Sequence, residues 1–198
     1  MYAENKVNER RKAVENVDNC KLATAEEIGQ LFIDNTKVIW DHKLVGKIYD
    51  FYSDDIIVHR EGGSDVVSVQ NVINDTLALQ AAFSDLKIEF HNIFAVGNPE
   101  EGYKFGQAVY FEGTNDGYSK FGPPTFKRLT KENCQGMCEC HLKVVDGRWK
   151  IVEEWTTRSA DMFDMIMGGL SEEAPVKAAE PEVVENEDQE ETNCEKND

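Results

Sequence analysis

His59 is the side chain of this sequence best suited to proton transfer near neutral pH. It follows the apolar residues 56–58 and comes shortly before Gly62 and Gly63, a pattern that predicts a short strand ending in a turn. An imidazole with an ordinary pKa of about 6.5 can accept or donate a proton at such a position. The competing interpretation is a half-exposed histidine at the end of a strand with no chemical role.

Arg158 and Asp161 stand three residues apart, just beyond a predicted strand. Together they could position a substrate oxyanion or carboxylate, because a guanidinium group binds such oxygens through paired, charge-assisted hydrogen bonds. The alternative is structural, with Asp161 capping a final helix over residues 160–167 and Arg158 making a surface ion pair.

Glu153 is a second candidate acid, on the last predicted strand. It has the same strand parity as Trp155 and Ser159, so we expect Glu153 to face the interior if Ser159 does, and Glu154 to face the opposite way. A carboxyl group in apolar surroundings has a raised pKa and can carry protons.

The cysteines predict neither a disulfide framework nor a metal centre. They are odd in number: Cys20, Cys134, Cys138, Cys140 and Cys194. The group of Cys134, Cys138 and Cys140 with His141 invites comparison with zinc sites. However, on a strand Cys138 and Cys140 share one face while His141 faces the other, and structural zinc sites usually take C-x2-C pairs at turns. We expect buried thiols and neither a metal nor a cofactor.

Three helices are expected to precede most of the strands. Thr24 and Glu27 match a capping box, and apolar residues recur at helical spacing from there to Trp40. Two further helices are expected at about residues 44–51 and 66–83. Residues 1–22 are polar and have no clear period, which predicts only an extended or frayed helical arm.

The second half of the chain has the period of strands. Strands are predicted at about residues 86–94, 103–112, 126–145 and 148–157, with Asp146-Gly147 as the hairpin turn between the last two. Helices followed by such strands indicate an α+β fold in which a curved antiparallel sheet wraps around the helices as a cone and leaves a cavity.

Half of the net charge of −17 lies near the carboxyl end of the sequence. Residues 171–198 contain eleven acidic side chains against two lysines and no aromatic residue, which predicts a disordered acidic tail behind a domain at residues 23–170. The remaining charge of about −8 and the lack of a basic stripe argue against a nucleic-acid partner. No apolar run suggests a signal peptide or a membrane span, so a cytoplasmic protein is expected.

Five stretches, taken together, resemble the SnoaL-like polyketide cyclase family of the nuclear transport factor 2-like superfamily. Ala-Phe-Ser-Asp-Leu at residues 82–86 is similar to the family's Ala-Phe-Pro-Asp-Leu, and Gly-Thr-Asn-Asp-Gly at 113–117 to its Gly-Thr-His-x-Gly. The others are residues 40–59, the Pro-Pro-Thr-Phe-Lys-Arg of 123–128, and residues 146–158. The resemblance covers about residues 32–169 and implies the cone fold, a homodimer through the outer face of the sheet, and a pocket for a small molecule.

The sequence departs from the family at two positions of that pocket. Ser159 stands where members commonly carry an acid that serves in acid/base chemistry, and Asn115 replaces the histidine of Gly-Thr-His. A serine hydroxyl does not take up a proton near neutral pH, so the family mechanism does not transfer unchanged.

Two functions are therefore expected as alternatives. The first is a cofactor-independent enzyme that carries out isomerisation, cyclisation or elimination on a small, largely apolar carbonyl or polycyclic substrate, with His59, Asp161 and Glu153 as its acids and bases. The expected binding groups are polar and aromatic: Arg158, Ser159, Asn115, Trp40, Tyr52, Tyr110 and Trp155. The second is a non-catalytic module of the same fold that binds a small molecule or a protein.

Overall fold

The computed structural model of the chain describes residues 2–20, 24–60 and 63–159. Asp161, the predicted final helix and the acidic tail lie outside these residues.

Four α-helices and one 3₁₀ turn are present in the described part of the chain. The helices are α1 (Tyr2–Asp18), α2 (Ala25–Trp40), α3 (Ile48–Phe51) and α4 (Val69–Ala82), and the 3₁₀ turn Val45–Lys47 leads into α3. The capping box at the start of α2 is confirmed: the Glu27 amide donates to the Thr24 hydroxyl at 3.2 Å, and the Thr24 amide donates to the Glu27 carboxylate at 2.9 Å. The amino-terminal arm, for which an extended or a frayed helical form is expected, is the helix α1, and it buries Val17 against the core.

The strands are β1 (Tyr52–Arg60), β2 (Asp65–Val67), β3 (Lys87–Asn98), β4 (Gly102–Thr114), β5 (Arg128–Leu129), β6 (Gln135–Val145) and β7 (Arg148–Arg158). They form one curled sheet in the order β2-β1-β7-β6-β4-β3, with β5 added to β4. The prediction of an antiparallel sheet is wrong at one junction, since β1 pairs with β7 in parallel. A parallel pair needs a long connection between its strands. Here α4 and the strands β2–β6 lie between β1 and β7 in the chain, so β7 can return beside β1 in the same direction.

The inner face of the sheet and the helices enclose the core. From β4, β6 and β7 the alternate side chains of Phe105, Leu142 and Ile151 point inward and are at most 1% exposed. They pack against α2, whose Phe32 ring lies 4.4 Å from that of Phe105, measured between centroids. None of the helices in the described ranges combines the length and apolar character needed to cross a membrane.

A register shift divides β7 into two halves. His141 of β6 pairs with Glu153, but the next residue, Leu142, pairs with Ile151, which leaves Val152 without a partner position. Such a β-bulge reverses which side chains face inward beyond it. The inward residues of β7 are therefore Ile151 and then Glu154, Thr156 and Arg158.

The β6–β7 turn is the predicted two-residue hairpin. Both Asp146 (φ 51°) and Gly147 (φ 75°) have left-handed backbone conformations, as a type I′ turn requires.

Gly147→Ala is expected to lower the free energy of unfolding by about 1–2 kcal/mol, because an alanine in the left-handed region brings its Cβ too close to the backbone. Gly46→Ala is the matched control: a Cβ at either glycine meets no atom within 4 Å, but Gly46 is outside the left-handed region. Urea unfolding of both variants measures the difference, and equal stabilities would contradict the backbone explanation.

Candidate active site

A cavity of about 130 Å³ lies between α2, α4 and the inner face of the sheet. Its wall is largely apolar and includes Phe32, Trp40, Val72, Leu79, Phe90 and Phe111. Its polar groups are few and come from separate elements: Asn35, Thr36, Thr76, Arg60, Gln107, Glu154, Thr156 and Arg158. An apolar enclosure with a small number of placed polar groups is the usual construction of a small-molecule site.

Glu154 is the acid of this cavity. The bulge at Val152 turns its side chain inward, where the Tyr52 hydroxyl donates a hydrogen bond of 2.9 Å to the carboxylate. Burial raises the pKa of Glu154, while the hydrogen bond from Tyr52, the nearby charge of Arg60 and contacts with two thiols act in the opposite direction. The result is a carboxyl group that holds its proton more readily than an exposed one.

The thiols beside Glu154 belong to Cys138 and Cys140. As predicted, the two residues share a face of β6 and are buried, with their Sγ atoms 3.4 Å apart. Burial raises the pKa of Cys140 well above its usual value, and the pKa of Cys138 is also raised. Both groups are therefore neutral thiols when nothing else binds them.

Two amide side chains line the cavity with carbonyl oxygens that have no hydrogen-bond partner among the described residues. Asn35 of α2 is 2% exposed and Gln107 of β4 is 7% exposed, and the free atoms are Asn35 Oδ1 and Gln107 Oε1. Buried amide oxygens normally find a donor. These two are ready to accept hydrogen bonds from a ligand.

Arg60 is held at the edge of the cavity by an acid of α4. Its guanidinium group lies 2.8 Å from the Asp75 carboxylate, and both side chains are mostly buried. The cavity therefore contains a fixed positive charge from Arg60 near the carboxylate of Glu154, with a second cation, Arg158, on its wall.

Three of the residues predicted from the sequence line this cavity: Trp40, Tyr52 and Arg158. The first two lie where α2 ends and β1 begins, and Arg158 follows Glu154 and Thr156 on the inner side of β7. Their predicted role in substrate binding remains a prediction.

Glu153 and Glu154 face opposite ways, as the strand parity predicts, but Ser159 does not line the cavity, and Glu154 is the residue that faces inward. Glu153, Trp155 and His59 lie together on the outer face of the sheet, because the bulge at Val152 changes the parity of β7. His59 Nε2 lies 3.2 Å from Glu153 Oε1 and His59 Nδ1 lies 3.0 Å from Asp65 Oδ1, and the imidazole stacks on Trp155 with centroids 5.0 Å apart. This cluster does not line the cavity.

The remaining predicted residues lie elsewhere. Ser159 and Tyr110 line a groove of about 610 Å³ on the outer side of β4, β6 and β7. The Ser159 hydroxyl accepts a hydrogen bond from the Gln135 amide at 3.2 Å and donates one to the Gln135 carbonyl oxygen at 3.0 Å. Asn115 is 2% exposed; its amide nitrogen donates to the Ala82 carbonyl and its Oδ1 accepts from the Thr125 amide, so it fixes a loop and does not line the cavity.

Two cavity residues that the sequence analysis did not predict, Gln107 and Asn35, could have been found from their place on apolar faces. Gln107 lies between Phe105 and Val109 at inward parity, and Asn35 belongs to the apolar face of α2. A polar residue on an apolar face is a candidate site residue. Glu154 had no such signal, because nothing in the residue types around Val152 marks a bulge.

No protein-family model matches the chain, and no curated protein matches it either. Several solved structures do match this chain. AclR from Streptomyces galilaeus, described as a candidate hydroxylase, matches with a TM-score of 0.56 and 21% identity over 73% of this chain and 98% of its own. IdmH from Streptomyces antibioticus, a candidate polyketide cyclase, matches with a TM-score of 0.51 and 18% identity over 69% and 95% of the two chains.

A candidate SnoaL-like polyketide cyclase from Jannaschia sp. CCS1 has a TM-score of 0.50 and 11% identity over 68% of this chain and 90% of its own. At such identities the likeness establishes the fold alone. The chain has the fold of the SnoaL-like polyketide cyclases, which confirms the fold that the sequence resemblance implied.

Glu153→Gln is expected to lower the pKa of His59. The hydrogen bond with Glu153 is the largest cause that raises this pKa above its ordinary value, followed by the one with Asp65, and both favour the charged imidazole. The change is measured by following the His59 ring resonances against pH. Glu139→Gln is the control, since Glu139 contacts His141 and not His59; a His59 pKa unmoved by Glu153→Gln would contradict the pairing.

Proposed function

We propose that the chain is a cofactor-independent enzyme that moves a proton within a small, largely apolar carbonyl compound, with Glu154 as its acid and base. The observation that carries the proposal is a carboxyl group of raised pKa in a largely apolar cavity. A general base is most effective when its pKa lies near the working pH, and burial moves a carboxyl group in that direction.

The neighbours of Glu154 supply the other parts of such a reaction. The Tyr52 hydroxyl donates to one oxygen of the carboxylate, Oε2, and so orients the group that takes a proton from the carbon next to a carbonyl group. The negative charge that develops on the carbonyl oxygen needs a donor or a cation, and Arg158 follows two residues after Glu154 on the same face. Return of the proton from Glu154 to another carbon completes an isomerisation, with no atom gained or lost.

The size of the cavity favours a substrate with one ring. Its volume of about 130 Å³ is below the roughly 300–1,000 Å³ typical of ligand pockets, so a polycyclic compound requires a wider opening than the described residues provide. Single-ring and short-chain carbonyl compounds fit this space best.

The second candidate function is ligand binding without catalysis, in the same cavity. The partner-free oxygens of Asn35 and Gln107 favour it, because they can orient a ligand that donates hydrogen bonds without taking part in a reaction. The hydrogen bonds of Ser159 with the Gln135 backbone also favour binding without catalysis. Cyclases of this fold commonly carry an acid at that position, whereas Ser159 has a structural role here.

Glu154→Gln is expected to reduce proton transfer by at least 100-fold, within the range of 10²–10⁴ that a positioned acid or base contributes. The probe is a β,γ-unsaturated cyclohexenone, whose rearrangement to the conjugated ketone is followed by ultraviolet absorption. Glu153→Gln is the matched control: it makes the same change at the preceding residue, which faces outward, and is expected to leave the rate unchanged.

A rate that falls in the control and not in Glu154→Gln would overturn the assignment of Glu154. A probe that raises the melting temperature of the wild type without rearranging would identify a binding module, since a ligand that binds only the folded state stabilises it.

We also propose that two chains associate through the outer face of the sheet. Phe94 of β3 and Met137 of β6 are 60% and 65% exposed there, and Trp155 of β7 is 37% exposed. Strand pairing puts Phe94, Gly106, Glu139 and Trp155 in one row across the sheet, and Met137 lies two residues before Glu139 on the same side of β6. Apolar surface of this kind is typical of contacts between chains.

Met137→Lys is expected to convert a dimer of twice 22.4 kDa into a monomer, because the buried ammonium group would lack a partner at the interface. Tyr118→Lys is the control, since Tyr118 is 79% exposed on a loop away from the strands. Light scattering measures both masses. A wild type with the mass of one chain would exclude the dimer.

A further inference from the structure

We propose that Cys138, Cys140 and Glu154 form a binding site for a thiophilic metal ion such as Zn²⁺, at the wall of the cavity. One ligand atom from each residue lies within 4.8 Å of the others, and the two Sγ atoms are 3.4 Å apart. This inference rests on the spacing of the donor atoms and not on the proposed proton transfer, although both proposals use Glu154.

The three donors are spaced almost as an ion requires. With Zn–S distances of about 2.3 Å and tetrahedral angles, two thiolate ligands stand about 3.7 Å apart. The observed Sγ–Sγ distance is therefore within a few tenths of an ångström of that spacing. The carboxylate oxygen lies within 4.8 Å of both sulfur atoms, and a carboxylate and a thiolate on one zinc ion stand about 3.5 Å apart, so it needs to approach by at most about 1.3 Å.

The backbone places these donors without help from flexible segments. Cys138 and Cys140 are alternate residues of β6 and point to the same side. Glu154 pairs with Cys140 across the β6–β7 ladder, and the bulge at Val152 turns it to that side as well. Donors held on neighbouring strands are preorganised, which lowers the cost of assembling a site.

The donor set selects the kind of ion. Two sulfur ligands favour Zn²⁺, Cu⁺ and similar soft ions over Mg²⁺ and Ca²⁺, which prefer oxygen. Three protein ligands leave one position of a tetrahedron open, as in catalytic zinc sites.

Gln107 provides a second, independent observation that points to a ligand here. It pairs with Cys138 across the β4–β6 ladder, it is 7% exposed, and its Oε1 atom has no hydrogen-bond partner among the described residues. A metal-bound water could donate to this oxygen. Two thiolates and one carboxylate carry more negative charge than Zn²⁺ neutralises. The positive charge of Arg60, which acts on Glu154 in the same cavity, favours this negatively charged ligand set.

Tyr52 positions the carboxylate ligand. Its hydroxyl donates to Glu154 Oε2 at 2.9 Å, which leaves Oε1 for the ion. Hydrogen bonds of this kind to a ligating carboxylate commonly contribute 10- to 100-fold to metal affinity. The proposed ion would occupy the same carboxylate that the proposed reaction uses, so an ion bound here is expected to inhibit proton transfer.

The test is titration of the full-length, reduced protein with Cd²⁺, which reports thiolate ligands by charge-transfer absorption, followed by displacement with Zn²⁺. The wild type is expected to bind one Cd²⁺ with the absorption of two thiolates. The double variant Cys138→Ser/Cys140→Ser is expected to lose this absorption. Cys134→Ser and Cys20→Ser, which remove described thiols that are not among the three donors, are the matched controls and are expected to retain it.

Two further variants decide the outcome if the double variant does not fold. Glu154→Gln and Tyr52→Phe keep both thiols, and each is expected to weaken Cd²⁺ binding by about 10-fold or more. A wild type with no thiolate absorption at stoichiometric Cd²⁺, a double variant that retains it, or an affinity unchanged in both Glu154→Gln and Tyr52→Phe would overturn the site. Because the readout is absorption, a protein that binds Cd²⁺ but does not rearrange the ketone contradicts the proposed function alone.

Discussion

The extra residue at Val152 of β7 is the constraint on which the site depends. Up to Ile151 the side chains of Trp149 and Ile151 pack on the core; beyond the bulge, the alternate set faces inward. A regular strand would turn Glu153 toward the cavity and Glu154 toward the outer surface. Because successive side chains of a strand point to opposite faces, one inserted residue moves Glu154 to the cavity side and Glu153 to the outer side.

Glu154 introduces a charge into a cavity whose wall is mostly aromatic and aliphatic. An isolated carboxylate there would be strongly destabilising, since it loses the water that solvates it. The structure offsets this cost with the Tyr52 hydroxyl, two thiols and the field of Arg60, but burial remains the largest effect on the pKa. The retained proton affinity makes Glu154 suitable for acid/base work, and the neighbouring sulfur atoms make it suitable as a metal ligand.

The outer face carries a separate group of charges. Glu153 lies between His59 and His141, at 3.2 Å and 3.6 Å from their ring nitrogens, and both rings pack on Trp155. Water reaches this cluster, so its ion pairs contribute little to stability. The pKa of His59 is raised by its hydrogen bonds with Glu153 and Asp65, and such pairing perturbs structural histidines as well as catalytic ones.

Local sequence determined the elements that depend on neighbouring residues. The capping box at Thr24, the type I′ turn at Asp146-Gly147 and the shared face of Cys138 and Cys140 could all be predicted, because each follows from spacing within a few residues. The motifs spread over the chain also predicted the fold. Only the tertiary structure decided the site: the parallel pairing of β1 with β7 and the bulge at Val152 arise from strands that meet across the whole chain. Which side of β7 faces the cavity is set by that pairing, and no residue near Glu154 encodes it alone.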